Sequence, residues 1–151
     1  MLRHTLATLS YRAATVVRSA PNGFGEVRLE PGSRSAAEIL AHMGDLMDWA
    51  ASIVEGKETW ADSPAQSWDA EVTRFFESVA RLDALLAGPL GVKAPAERLF
   101  QGPIADALTH VGQLAMLRRP AGAPMRGQNY SRADIVAGRV GLDQVPPKRE
   151  F

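Results

Sequence analysis

The residues best placed to do chemistry are a carboxylate and an imidazole one helical turn apart, Asp106 and His110, in the stretch GPIADALTHVGQLAMLRRP from Gly102 to Pro120. Side chains four residues apart on a helix point the same way. The two could therefore grip one divalent cation, as half of a metal site. By itself the spacing favours a plainer reading, a helix-surface pair or a buried histidine satisfied by an aspartate. A second grouping lies earlier, where His42 shares a helix face with Asp45, Leu46 and Trp49: an ionisable group, a hydrogen-bond partner and an aromatic wall together. His4, near the ragged start of the chain, has no such company and is assigned no role. The chain contains no cysteine, which excludes disulfides, thiolate zinc sites, iron–sulfur clusters and a cysteine nucleophile. Any catalytic thiol must come from outside, and the absence of cysteine fits a reducing cytoplasm.

The elements that must position these groups are amphipathic helices. Leu2, Leu6, Leu9, Ala13 and Val16 recur at helical spacing, so the N-terminal stretch to about Ser19 is expected to be a helix of the fold rather than a transit peptide. Pro21-Asn22-Gly23 ends it, and Phe24 to Gly32 reads as a loop crossing the end of a bundle. Ser35-Ala36-Ala37-Glu38 has the pattern of a capping box and opens a second helix, which closes at Gly56. Lys57 to Gln66 is a polar connection, after which Ser67 caps a third helix ending at Gly88-Pro89. A Pro-interrupted crossing segment, Leu90 to Gln101, leads to a fourth helix, which is expected to begin at Gly102 with Pro103 in its first turn and to stop at Pro120. Ile104, Leu108, Val111 and Ala115, with Leu114 and Met116 beside them, make its apolar face. In the Gly- and Pro-rich tail, Ser131 to Ala137 predicts one short additional helix.

The expected fold class is therefore all-α, a four-helix bundle with a short extra C-terminal helix, in one domain over residues 1–151. At 46% hydrophobic residues the chain can enclose a real core. Its 17 basic and 17 acidic residues are intermixed, leaving no electrostatic case for nucleic acid or an anionic membrane surface as a partner. No run approaches the roughly 20 apolar residues of a membrane span.

His42 in ILAHMGDL, with Asp106 and His110 in ALTHVGQL, resembles the DinB-like (DinB/YfiT) family of metal-binding four-helix bundles. The resemblance covers nearly the whole chain in helix order and loop character, including RGQNYSRADIVAGRVG in the tail. In that family one ligand lies on the second helix and a His-x3-His pair on the last long helix, followed by Gly-Gln-Leu. The resemblance implies metal ligation by His42, Asp106 and His110. This chain departs from it in placing an aspartate, Asp106, where the family has its middle histidine. The resulting two-histidine, one-carboxylate set is used for zinc and for non-haem iron, so the implied cofactor is one divalent ion: zinc, nickel or iron. Gln113 and Asp45, each three residues beyond a histidine, are placed to hold a metal-bound water or orient an imidazole.

What the resemblance implies for function is a metal-dependent enzyme of the thiol-dependent transferase or isomerase type, or a hydrolase. Its partners would be a small-molecule substrate and a low-molecular-weight thiol, in the cytoplasm. Three protein ligands would leave the ion a position open to them. The alternative is a non-catalytic bundle, stabilised by metal or serving to form a homodimer, in a stress response. Residues Trp49, Asn129 and Tyr130 are expected near the mouth of the site, with the tail from Arg126 to Gly138 partly covering it.

Overall fold

A computed structural model describes residues 1–89 and 92–151. Three long helices come first: α1 (Leu2–Val17), α2 (Ala36–Glu55) and α3 (Trp68–Ala87). A short helix α4 (Ala96–Leu99) then runs through a π turn (Phe100–Ile104) into α5 (Ala105–Leu117), so the last three pieces act as a fourth rod. Among the described residues there is no strand, only an isolated antiparallel bridge between Gln128 and Glu150. No described helix is long and apolar enough to cross a membrane.

Local chemistry accounts for most of the helix ends. At α2 the capping box forms: Ser35 Oγ accepts from the Glu38 N–H, and Glu38 Oε2 accepts from the Ser35 N–H at 2.6 Å. Gly56 closes the helix at φ 71°, a left-handed conformation that favours glycine, with its N–H on the carbonyl of Ile53. The α3 N-terminus is capped by the Ser67 side chain, which accepts from the Ala70 N–H.

The fourth rod differs from the sequence expectation. Helix begins at Ala96 rather than Gly102, and Pro103 lies inside it. A proline within a helix withholds one N–H and presses its ring on the preceding turn, and a widened π turn accommodates both. That turn ends one residue before α5, so it sets the rotation with which Asp106 and His110 enter the bundle. The buried stripe of α5 is Ala107, His110, Val111, Leu114 and Leu117, while Met116 stands exposed. Of the crossing segment, Leu90 and Gly91 lie outside the described residues.

The expected C-terminal helix over Ser131–Ala137 is replaced by a single 3-10 turn at Tyr130–Arg132. Asn129 Oδ1 accepts from both the Ser131 N–H, at 3.2 Å, and the Ser131 hydroxyl, at 2.6 Å. The cap thus sits two residues earlier, and the chain is extended again by Ala133.

Helix α1 packs between α3 and α5, and α2 packs between the same two from the other side, so α1 and α2 occupy opposite corners. All four rods contribute to one core, with Leu6, Leu40, Met43, Phe75, Leu82 and Leu114 wholly buried. Each such side chain contributes roughly 1.5–3 kcal/mol. The tail lies along α1: Ser10 Oγ donates to the Val140 carbonyl at 2.8 Å, Arg18 to those of Leu142 and Gln144, and Arg12 stacks over the Tyr130 ring.

Candidate metal centre

Helices α2 and α5, neighbours in the ring, bring His42, Asp106 and His110 together, with one ligand atom of each lying within 4.8 Å of the others. Asp106 stands between the imidazoles. Its Oδ2 lies 3.6 Å from His42 Nε2 and its Oδ1 lies 3.4 Å from His110 Nε2. The two rings meet edge to face, 4.9 Å between centroids. His110 is buried and His42 nearly so, whereas the Asp106 side chain is 48% exposed.

The hydrogen-bonding state of these groups decides what the cluster can hold. His110 Nδ1 lies 2.7 Å from Gln113 Oε1; with the amide oxygen accepting, the ring proton sits on Nδ1 and the Nε2 lone pair faces Asp106. On His42 the Nδ1 atom is buried without a partner, and Nε2 is too far from Asp106 for a hydrogen bond. Burial holds the His42 imidazole below its ordinary pKa, helped by the charge of Arg34 and by His110 and opposed by Asp106. It is therefore neutral at pH 7, as a metal ligand must be. Ligands about 2.0–2.1 Å from a tetrahedral ion stand about 3.4 Å from one another, close to the 3.6 and 3.4 Å that separate the two Asp106 oxygens from the imidazoles of His42 and His110. The three residues fit a divalent ion, and the cluster could hold one.

Of the two supporting residues, Gln113 reaches His110 and Asp45 does not reach His42. Asp45 accepts from the Ser63 N–H at 2.9 Å, the Ser63 hydroxyl at 2.7 Å and Arg74 Nη1 at 2.9 Å. Both of its oxygens are occupied in holding the α2–α3 loop and α3. Arg74 also donates to Glu71 Oε2 and to the Ala41 carbonyl, and fully buried Glu71 accepts from the Gln66 N–H. Gly44 makes room for this guanidinium: a Cβ there would lie 2.8 Å from Arg74 Cζ.

The mouth of the cluster is built from the two loops flanking α2, not from the tail. Asn129 and Tyr130 lie with the tail against α1, where Tyr130 meets Tyr11 and Arg12. One cleft beside His42 is lined by Arg28, Arg34 and the Asp62–Ala65 stretch; a second, on the far side of His110, by Leu29, Arg34, Gln113 and Met116. A third opens over Asp106 and is walled by Trp49, as expected, and by Trp60, which is not among the residues expected there. The signal for Trp60 was present: a lone indole in an otherwise polar connection, where no core periodicity calls for it. Compared with known proteins, the chain matches no family model, no curated protein and no solved structure. The fold and site therefore define a class, an all-α bundle with a candidate metal centre between α2 and α5, and the particular activity is a matter of proposal.

Proposed function

We propose that the protein is a DinB-like bundle holding one divalent cation, zinc, nickel or iron, through His42, Asp106 and His110, and that it acts as a metal-dependent enzyme on a small molecule. The observation that carries this reading is the gathering of one ligand atom from each of His42, Asp106 and His110 within 4.8 Å of one another, with Gln113 on the other ring nitrogen of His110. Such an ion would supply a Lewis-acid centre able to lower the pKa of a water or thiol that reaches it. His42 and His110 serve as neutral donors, Gln113 fixes the tautomer of His110, and Asp106 removes one unit of the ion's charge. Half-exposed Asp106 supports an open, reactive site over a closed structural one, since solvent and substrate can come up to the cluster along it. With no cysteine in the chain, a thiol-dependent transferase or isomerase reaction would use an external low-molecular-weight thiol.

Elemental analysis of protein purified without a metal-affinity tag tests the reading. About one equivalent of metal in the parent, lost in Asp106→Ala and His110→Ala, is expected. Protein free of metal that also fails to take up added zinc would replace it with an imidazole–carboxylate cluster that merely packs the bundle.

A further inference from the structure

Trp60 lies in the irregular connection between α2 and α3 and is 42% exposed. Hiding an aromatic side chain of this size contributes roughly 1.5–3 kcal/mol, so packing alone would draw the indole inward. Instead the loop is pinned on both sides of it. The Thr59 N–H donates to Ser52 Oγ at 3.0 Å, and Ser63 is clamped on the Asp45 carboxylate. Trp60 is thereby held edge to face against two rings at once, His42 and Trp49, each 5.7 Å away between centroids. Trp49 is fixed in turn, its Nε1–H donating to Glu58 Oε1 at 3.1 Å while Arg98 pairs with the same carboxylate at 2.7 Å.

Together with Leu46 and Asp106 these groups line a cleft of about 430 Å³ that runs directly onto the candidate centre. Its charges are already committed. Glu58 is neutralised by Arg98, and Asp106 belongs to the cluster. A bound divalent ion would repel an organic cation from this place, so the indole walls are left to a flat, uncharged group.

From this arrangement we infer that Trp60, backed by Trp49, is the specificity-determining wall of the site, selecting small molecules whose planar aromatic body lies against the indoles while a polar end reaches His42, Asp106 and His110. The polar end and the exclusion of organic cations rest on the proposed metal reading; the indole walls as an aromatic subsite do not.

Two hydroxamates with the same chelating head separate the parts. On zinc-loaded protein, calorimetry should show benzohydroxamate binding about tenfold more tightly than acetohydroxamate, the scale of a favourable aromatic pair. In Trp60→Ala that preference should vanish while acetohydroxamate affinity stays unchanged, and Trp60→Phe should restore most of it. A preference that survives Trp60→Ala overturns the inference and leaves the metal reading standing. Metal-free protein supplies the other arm. Benzyl alcohol should shift the indole N–H resonances of Trp60 and Trp49 and leave that of Trp68, packed on Phe24, in place. If zinc does not bind, this arm decides alone: the shifts uphold the aromatic subsite although the metal reading has failed, and unmoved resonances overturn it.

Discussion

Two polar clusters sit three residues apart on α2, and they are built to opposite ends. Around Asp45, every strong acceptor has a donor at hydrogen-bond distance: Ser63 and Arg74 on Asp45, Arg74 and Gln66 on Glu71. Around His42, the same kinds of groups stand 3.4 and 3.6 Å apart, one nitrogen is orphaned, and the carboxylate is open to solvent. A buried polar cluster that satisfies itself is structural, joining a loop and two helices. One that leaves its ligand atoms facing each other across an ion's width could hold a cation. The type of residue does not make the distinction; the distances do.

Breaking the closed cluster should have the largest effect. Arg74→Ala leaves Asp45 and Glu71 as buried anions without their counter-charge, and a loss of roughly 3–5 kcal/mol is expected in chemical denaturation. Metal stoichiometry in the fraction that remains folded should not change. If Arg74→Ala were neutral in stability, the contrast between the two clusters would collapse.

Breaking the open cluster should act through the ligand instead. Zinc at a hundredfold excess over its dissociation constant should stabilise the parent by about 2.7 kcal/mol, and Asp106→Ala should abolish that increment with little change in the metal-free protein. Thermal melts with and without zinc read both quantities. Gln113→Leu should be milder, since it removes the partner that holds the His110 tautomer. A 10- to 100-fold loss of zinc affinity is expected, measured by competition with a chelating dye, with the melting temperature of the metal-free protein unchanged.

Acid should separate the clusters with the smallest effect of the four. Burial pushes the Asp45 carboxyl upward, but the hydrogen bonds from Ser63 and Arg74 outweigh it and hold the group below its ordinary 3.8. A carboxyl depressed in the folded state contributes stability that is present above pH 3.8 and is lost progressively as the pH falls from there through the lower folded value. His42, also depressed, has an unfolded value of 6.5, so its contribution is full above that pH and declines below it as the unfolded chain takes up protons that the folded imidazole resists, until the pH passes the folded value. Melts of metal-free protein from pH 7.5 to 3 should therefore show a first decline that His42→Gln removes and a later one that it does not. A single decline confined below pH 4 would mean that His42 is not desolvated as described.

Features carried by neighbouring residues were legible before any fold. Ser35 with Glu38, Ser67 and Gly56 bound their helices where expected, because a cap is made within one turn of chain. Asp106 and His110 read as a pair for the same reason, their four-residue spacing being a property of any helix. Where two local signals competed, the reading failed. Pro103 marks a helix start by propensity, yet Leu99 and Ile104 are both buried in the core, and their packing carries the helix through it as a π turn. Ser131 could cap a helix, but Asn129 captured it first.

The amino-acid sequence by itself determined four helical segments, most of their ends, and which residues could ligate an ion. Only the tertiary structure decided that Asp45 would be spent on Arg74, 29 residues away, rather than on His42. It likewise decided that Trp60 rather than the tail would stand over the site, and that buried Arg118 would close α1 by donating to the carbonyls of Val16 and Ser19. The physical reason is common to all of these: each depends on which helices become neighbours, a choice made by burying one shared core and not by the residues on either side in the chain.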